Sequence, residues 1–397
     1  MIAGAILGVL GGLFVGDFML RISFLGTIFL NALKMVVIPL VVASMIVGVT
    51  SLGDVRTLGR TGLKTLAFYF ATTSASVIVG LILVNIIQPG SRVELWDTTV
   101  PDFVAETGGS TLIDVLVGLI PPNIFSAAAE GEILPLIVFS LLFGGVLSAI
   151  GERGRPVVAV FDGINAAMMK IVHLIILFAP IGVLALIGGI VAEKRESFDQ
   201  LVSGLGMYSL TVLLGLGVHA LVTLPLILVV LGRKKPWPYF TGVGEALATA
   251  FTTASSSATL PITIDAVENK NGVDSRAASF VLPLGATINM DGTALYEAVA
   301  ALFIAQISGV DLTLGQQVII FLTATLASVG AAGIPHAGTV MMVMVLAAVN
   351  LPMEGIGLIF AVDWFLDRCR TTVNVWGDSI GAAVIAQTKE MKAPPRS

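Results

Sequence analysis

The chain has 397 residues, of which 56% are hydrophobic and 12% charged, and its mean hydropathy is +0.98. Soluble proteins carry about 25% charged residues, so this composition excludes an ordinary soluble domain and predicts a polytopic membrane protein. The net charge of −5 leaves no basic footprint for nucleic acid, and the single cysteine, Cys369, excludes an internal disulfide and a cysteine-based metal site.

The first part of the chain consists of apolar runs long enough to cross a bilayer. The fourth run contains Pro121, Pro122 and Pro135, and proline interrupts helices, so we expect this span to be in pieces. The six predicted spans lie at about 2–20, 25–50, 63–87, 111–150, 157–191 and 201–231.

Two later segments predict re-entrant helical hairpins. Residues 240–270 contain two apolar arms, each too short to cross, on either side of Ser255–Ser257. Residues 313–349 repeat the pattern around Gly330–Pro335. Such tips are tolerated at membrane depth only inside protein or beside a water-filled cavity.

Each hairpin precedes a long span with a polar break. The span at 274–307 is expected to break at Asn289–Gly292, and the span at 355–385 at Asn374–Asp378. Paired interrupted segments of this kind are typical of a transporter site near the bilayer midplane. The predicted fold is therefore all-α and polytopic, with eight transmembrane helices and two re-entrant hairpins arranged as inverted repeats.

The distribution of basic residues predicts the orientation. Loops on the side of the two termini carry 13 Lys and Arg, whereas the opposite loops carry four. The excess of positive charge places both termini in the cytoplasm, with the spans in the cell (inner) membrane. The first hairpin then enters from inside and the second from outside.

The last span carries a polar stripe. At about 100° per residue its members fall within an arc of about 100° on one helix face. Charged residues inside a bilayer cost free energy, so this face must look into protein or water. The stripe is either a functional site, as intramembrane ionisable residues are by default, or only a satisfied structural network. The stripe consists of Asp363, Asp367, Arg370, Thr371, Asn374 and Asp378.

These residue types predict the ligands. The serine-rich tip is either an ordinary helix cap or a set of free N–H groups for a carboxylate. The fork of Arg370 suits a second carboxylate, while Asp367 and Thr371 suit an ammonium. Asn289, Asp291, Asn374 and Asp378 are hard oxygen donors for Na⁺. Together they predict a dicarboxylic amino acid bound above cations.

Glu297 and the histidines carry further hypotheses. Glu297 is either a proton carrier or a neutral buried acid with a hydrogen bond. His173 and His219 are interpreted as packing or satisfied histidines, and His336 as a loop-facing polar residue, because no metal-ligand spacing is present.

Four motifs carry a family resemblance. TASSSATLP, LPLGATINMDGTALYEA, GAAGIPHAG and AVDWFLDRCRTTVNVWGDS closely resemble the glutamate/aspartate transporter family, the dicarboxylate/amino acid:cation symporters that include the excitatory amino acid transporters. The resemblance is most specific from about 250 to 385. It implies a homotrimer in which residues 1–62 and 91–200 form a scaffold. Residues 63–90 and 201–397 would form a transport domain that moves like an elevator.

The resemblance also implies the site residues. Substrate contacts would be Arg370, Asp367, Thr371, Asn374, Thr293, Ser255, Ser256, Ile334 and Gly338. One Na⁺ site would use Gly285, Asn289, Asn374 and Asp378, a second Thr287, Ser328, Val329 and Ala331, and a third Tyr69, Thr72, Thr73, Asn289 and Asp291. The pairing of Glu297 and Arg368 with Ala254, and with Asp363 nearby, suggests H⁺ symport and K⁺ counter-transport.

Other functions were weighed against this one. A purely proton-coupled glutamate or C4-dicarboxylate symporter stays open. A neutral amino acid exchanger is disfavoured because such members lack the arginine matched by Arg370. The two closed tips argue against an ion channel, and an intramembrane aspartyl protease using Asp363 and Asp378 lacks its GxGD signature. We therefore expect a transporter and not an enzyme.

Overall fold

The chain is described by a computed structural model covering residues 2–51, 55–91, 93, 117–328 and 337–388. Within these ranges every regular element is a helix, which confirms the all-α prediction. Five helical stretches of the described residues are long and apolar enough to cross a bilayer, as expected of a multi-pass membrane protein. They are Gly16–Thr50, Arg60–Ile87, Arg155–Glu193, Phe198–Gly232 and Ser275–Ile307.

The N-terminal region begins differently from the prediction. The expected span at about 2–20 is divided at Val15, whose φ of −131° is not helical. Across this bend the side chain of Met19 packs directly on Gly11. Only glycine leaves room for that contact, because a Cβ on Gly11 would lie 2.2 Å from Cε of Met19. The four helices of this region are α1 (Ile2–Phe14), α2 (Gly16–Ile22), α3 (Phe24–Ser51) and α4 (Val55–Ile87).

The fourth predicted span is in pieces, as its prolines predict. Asn123 caps the first piece by accepting hydrogen bonds from the N–H groups of Phe125 and Ser126, and Gly131 ends it with a left-handed φ of 77°. Residues 111–116 of the prediction lie outside the described ranges. The helices here are α5 (Ile124–Glu130), α6 (Ile133–Ala149) and α7 (Arg155–Glu193).

The sixth predicted span is continuous but contains two π-helical turns. The α-helix α8 (Phe198–Val218) passes into a π turn at His219–Thr223. The short helix α9 (Leu224–Ile227) follows, and a second π turn ends at Gly232.

Helical hairpins form at both predicted positions. The first hairpin consists of α10 (Pro236–Thr253) and α11 (Ser256–Asp265), which pack together. The chain reverses through Ala254, whose φ of 50° is left-handed. The second hairpin consists of α14 (Leu314–Ala327) and α15 (Ala337–Ala348); its tip at residues 329–336 lies outside the described ranges.

The two long spans after the hairpins behave differently from each other. The broken helix, α12 (Ser275–Ile288) and α13 (Asp291–Ile307), is interrupted at Asn289 and Met290 as predicted. The last helix, α16 (Ile356–Ala386), is continuous, so the predicted break at 374–378 is wrong. Polar residues and glycine cost at most about 1 kcal/mol each in a helix, and burial against the broken helix outweighs this cost.

The packing surrounds the broken helix with other elements. The helices α1 and α3 both pack mainly on α7, and α6 packs against α3. Elsewhere α4, α8, α15 and the last helix all contact α13. Every residue of α13 except Gln306 is buried, so its polar side chains must be satisfied by these neighbours.

Candidate functional site

The polar stripe of the last helix faces protein. Its six members are all buried, and the side chain of Arg370 has no exposed surface. The stripe lies against α12, α13 and the two hairpins. Burying these groups together is tolerable only because they bind one another and the broken helix.

Arg370 forms the centre of the first polar cluster. Its Nη2 donates to Oδ1 of Asp367 at 2.6 Å and lies 3.1 Å from Oδ1 of Asp363. The hydroxyl of Tyr296 donates to the same Asp363 oxygen at 2.8 Å. The guanidinium also lies 3.8 Å from the centre of the Tyr296 ring, a cation–π contact. One buried cation is thus held by two carboxylates and an aromatic ring.

The guanidinium has unused donors. Its Nε and Nη1 have no hydrogen-bond partner among the described residues. A Cβ built on Gly338 would lie 2.9 Å from Nη1 and 3.0 Å from Cγ2 of Thr293. The second hairpin therefore covers Nη1 closely, and only glycine leaves space there.

Glu297 lies near Arg370, and its carboxyl group has no hydrogen-bond partner among the described residues. It is fully buried. Arg370 is close enough to act on it electrostatically. A buried carboxyl group without a partner is least costly when neutral.

A second polar cluster collects oxygens around the helix break. Oδ1 of Asp291 accepts from the hydroxyls of Thr73 at 2.6 Å and Thr72 at 3.3 Å. Oδ1 of Asn289 accepts from the same Thr72 hydroxyl at 3.2 Å. The backbone carbonyl of Asp291 accepts from Ser76 at 2.9 Å. The hydroxyl of Thr72 also donates to the carbonyl of Tyr69 at 3.1 Å. The structure thus connects all five residues of the predicted third Na⁺ site by hydrogen bonds.

The predicted first Na⁺ site adjoins this cluster. The amide of Asn289 donates to Oδ1 of Asp378 at 2.9 Å. A Cβ on Gly285 would lie 2.4 Å from that oxygen and 2.7 Å from the hydroxyl of Tyr69. The Tyr69 hydroxyl itself donates to the carbonyl of Val281 at 2.7 Å. The side chains of Asn289, Asp378 and Tyr69 each carry a neutral or anionic oxygen, and Na⁺ prefers oxygen ligands of this kind.

Asn374 links the two clusters. Its Oδ1 accepts from the N–H of Gly292 at 2.7 Å, and its amide donates to the hydroxyl of Thr293 at 3.3 Å. Thr371, one turn before Asn374 on the last helix, is buried as well. Asn374 therefore ties the N-terminus of α13 to the last helix, between the groups predicted for substrate and those predicted for Na⁺.

Other predicted residues lie apart from the clusters or outside the described residues. Thr287 is exposed and its hydroxyl donates to Leu284 of its own helix. Ser328 is buried and donates to the carbonyl of Thr325 at 2.7 Å. Arg368 is half-buried and lies over Trp364, away from Arg370. Val329, Ala331, Ile334 and His336 fall outside the described residues.

The serine-rich tip of the first hairpin begins a helix. The hydroxyl of Ser255 accepts from the N–H of Ala258 at 3.2 Å, so Ser255 serves as an ordinary N-cap. Ser256 is buried at the first position of α11, which contacts the last helix. The N–H groups of the first turn of a helix have no partner within the helix itself, so those that the cap does not satisfy need a partner from elsewhere.

Two contacts of the site were not predicted from the sequence. His219 was interpreted as a packing or satisfied histidine, and its Nε2 does have a partner, Oδ2 of Asp291 at 3.1 Å, but the sequence did not indicate that this partner is a predicted Na⁺ ligand. Tyr296 was not singled out, yet it contacts both Asp363 and Arg370. Tyr296 precedes Glu297 directly, but nothing in the sequence indicates which neighbours an aromatic side chain meets. No group of three or more His, Cys, Asp or Glu residues suited to a transition metal occurs in the described part of the chain.

Comparison with known proteins identifies the family of the chain. A sequence model of the family described as "Sodium:dicarboxylate symporter family" matches residues 1–388. Excitatory amino acid transporter 3 of Mus musculus is 42% identical over 412 residues, covering 91% of this chain and 78% of that protein. Excitatory amino acid transporter 1 of Ambystoma tigrinum is 40% identical over 416 residues, covering 91% and 76%.

A third similar protein is a transporter as well. The putative sodium-dependent excitatory amino acid transporter glt-4 of Caenorhabditis elegans is 41% identical over 420 residues, covering 93% of this chain and 83% of that protein. These relatives are transporters and not enzymes, which confirms that expectation for the present chain. On the extent of the family match and the identity to these relatives, the chain belongs to the sodium:dicarboxylate symporter family.

Proposed function

We propose that this protein is a secondary active transporter that takes up glutamate or aspartate by symport with Na⁺. The observation that carries the proposal is Arg370, a fully buried guanidinium whose Nε and Nη1 have no partner among the described residues. A buried donor without an acceptor costs about 1–3 kcal/mol. Once the second hairpin moves away from Nη1, a substrate carboxylate at this nitrogen would remove that cost and gain a charge-assisted hydrogen bond.

The aspartates beside Arg370 set how that carboxylate binds. Both Asp363 and Asp367 approach Nη2, so the outer part of the fork is already occupied. A bidentate carboxylate would need Nη2 to release one aspartate. Asp367 is the better candidate, because Asp363 is also held by Tyr296. The released Asp367 would then accept from the substrate ammonium.

The α-carboxylate would bind on the opposite side of the substrate. The N-terminal turn of α11 at Ser255 and Ser256 presents backbone N–H groups and the positive end of a helix dipole. Thr371, Asn374 and Thr293 would complete the polar wall. The backbone of the second hairpin at Gly338, with Ile334 near its tip, would close over the substrate.

Na⁺ would bind among the oxygens of the second cluster. Asp291, Thr73 and Asn289 would form one site with Thr72 and Tyr69, and Asp378 with Gly285, Asn289 and Asn374 another. In the structure the hydroxyls of Thr72 and Thr73 donate to the oxygens of Asn289 and Asp291, and the amide of Asn289 donates to Asp378. A cation would replace those bonds by oxygen ligands. We place a further Na⁺ between Thr287 and the carbonyls of Ser328, Val329 and Ala331, as the family pattern suggests.

Glu297 would couple transport to protons. Its burial without a partner favours the neutral form while substrate is carried, and release of that proton would leave an anion beside Arg370. A K⁺ ion bound from the cytoplasmic side would then balance that anion while the transport domain returns without substrate. Arg368 and Asp363 would adjust the charge of the site during this step. The competing proposal of a symporter driven by protons alone differs only in lacking Na⁺ dependence.

The packing of the helices supports a division into a static scaffold and a moving transport domain. Residues 1–62 and 91–200 would form a scaffold, and residues 63–90 and 201–397 a transport domain. In the structure α4 packs on α13, although it lies between α3 and α6 in sequence. We propose that the transport domain moves as an elevator within a homotrimer in the cell (inner) membrane, with both termini cytoplasmic.

Uptake into proteoliposomes tests the proposal. Labelled L-glutamate and L-aspartate are offered outside, with Na⁺ or choline outside and K⁺ or choline inside. We expect concentrative uptake that requires external Na⁺ and increases with internal K⁺. Uptake that is equal in Na⁺ and choline but follows a proton gradient would refute Na⁺ coupling and favour the proton-driven alternative. Absence of binding of either amino acid would refute the substrate class.

A further inference from the structure

The position of His219 follows from a proline six residues after it. Pro225 has no N–H, so it breaks the regular hydrogen-bond ladder of its helix. The N–H of Leu224 bonds to the carbonyl of His219, five residues back, which forms the π turn at His219–Thr223. Such π turns occur frequently at functional sites.

The π turn also frees a carbonyl that the last helix uses. Ala220 would bond to Leu224 in an α-helix and to residue 225 in a π-helix, but Leu224 bonds elsewhere and Pro225 has no N–H. The indole N–H of Trp376 supplies the missing donor, at 3.0 Å from the Ala220 carbonyl. The turn that carries His219 is thus fixed to the last helix, two residues from Asp378.

His219 then points at the carboxylate of the helix break. Its Nε2 lies 3.1 Å from Oδ2 of Asp291, and both side chains have no exposed surface. Oδ1 of Asp291 is the oxygen that accepts from Thr72 and Thr73. Since a carboxylate only accepts hydrogen bonds, Nε2 carries the proton in this pair. The two oxygens of Asp291 therefore have separate partners, one toward the threonines and one toward His219.

We propose that His219 is a positioning residue for the Na⁺ site of Asp291. By holding Oδ2, it fixes the rotation of the carboxylate so that Oδ1 faces Thr73 and Asn289. Ligating carboxylates are oriented by such outer hydrogen bonds, and removing the outer partner typically costs about 10- to 100-fold in metal affinity. This inference rests on the proposed function, because it takes Asp291 to be a Na⁺ ligand.

Substitutions at His219 separate orientation from packing. His219→Gln places an amide N–H near the position of Nε2, whereas His219→Leu keeps the bulk and removes the donor. His173→Leu is the matched control, since His173 is exposed on α7 far along the chain from this cluster. Each variant is purified as the full chain, and its elution profile and melting temperature in detergent are recorded.

The measurement is the Na⁺ concentration that gives half-maximal glutamate binding and uptake, with glutamate affinity at saturating Na⁺ measured in parallel. We expect His219→Leu to raise the half-saturating Na⁺ concentration about 10- to 100-fold. Glutamate affinity at saturating Na⁺ should stay near that of the wild type. His219→Gln should recover most of the loss, and His173→Leu should match the wild type.

Two outcomes overturn the inference, and a third overturns its basis. A folded His219→Leu protein with unchanged Na⁺ dependence shows that His219 does not position Asp291. Equal losses in His219→Leu and His219→Gln show that packing and not the hydrogen bond matters. Asp291→Asn and Thr73→Ala, measured alongside, test the site itself. If they leave the Na⁺ dependence unchanged, the proposed Na⁺ site is wrong whatever His219 does.

Discussion

Replacing Arg370 tests the substrate assignment most directly. Arg370→Cys removes the only cation in the described cluster and should abolish binding of glutamate and aspartate. The space left beside Thr293 and Gly338 should then admit serine or alanine. The substrate's side-chain carboxylate would lose its donor, while its α-carboxylate and ammonium would keep theirs.

The magnitude follows from the contacts of the guanidinium. A hydrogen bond to a charged group contributes about 1.5–3 kcal/mol, and Nη1 offers two such donors. Removing one partner of a buried charge pair typically costs about 2–5 kcal/mol. At about 1.4 kcal/mol for each factor of ten, affinity should fall by about 30-fold to about 4,000-fold. Asp363 and Asp367 also lose their buried cation, so some loss of stability is expected.

Two further variants separate recognition from folding. Arg370→Lys keeps a cation for the aspartates but has no planar fork, so it should fold well and still bind glutamate weakly. Arg276→Cys is the control, because Arg276 is an exposed arginine paired with Asp274 at a helix start. Calorimetric titration with glutamate, aspartate and serine gives the affinities, and melting in detergent gives the stability. Wild-type glutamate affinity in a folded Arg370→Cys protein would refute the role of Arg370.

Three other changes test the cation groups. Asp378→Asn should weaken Na⁺ binding. By linkage, the gain in glutamate affinity that Na⁺ gives should fall by the same factor. If calorimetry of the wild type gives the same glutamate affinity in Na⁺ and in choline, the Na⁺ site is contradicted. Glu297→Gln mimics a carboxyl group that is always protonated, so exchange of glutamate should continue, lose its pH dependence and no longer give net uptake into K⁺-loaded liposomes. Wild-type uptake that ignores both internal K⁺ and external pH would make Glu297 a structural acid. Gly285→Ala places a Cβ 2.4 Å from Oδ1 of Asp378. It should lower the stability of the fold by about 1–3 kcal/mol and should also weaken Na⁺ binding. Gly244→Ala, with nothing within 4 Å of its Cβ, should change neither.

The periodicity and composition of the sequence were sufficient for most of the architecture. An apolar run long enough to cross a bilayer can form few structures there. In the bilayer the polar groups of its backbone must pair with each other, which a helix allows. The division of the fourth span was predicted because proline interrupts a helix, and the break at Asn289 because polar residues interrupt an apolar run there. The polar stripe on the last helix was predicted as well, because residues three and four apart in a helix share a face.

Local propensity misjudged two helix boundaries. The residues at 374–378 look as polar as those at 289–292, yet only the latter interrupt a helix. In the last helix Asn374 and Asp378 bond to the opposing broken helix without leaving the helical conformation. At Val15 the chain bends where the side chain of Met19 packs against Gly11, a contact that the apolar composition of this segment does not indicate.

The partners of each polar group depended on tertiary structure alone. The sequence indicates that Arg370 needs counter-charges, but not that Asp363 and Asp367 share one nitrogen and leave Nε and Nη1 without partners. It contains His219 without indicating that a π turn aims that side chain at Asp291, 72 residues along the chain. Helix periodicity determines which residues share a face, because that depends on neighbours in sequence. Which faces meet depends on packing between distant segments, and so only the folded chain decides it.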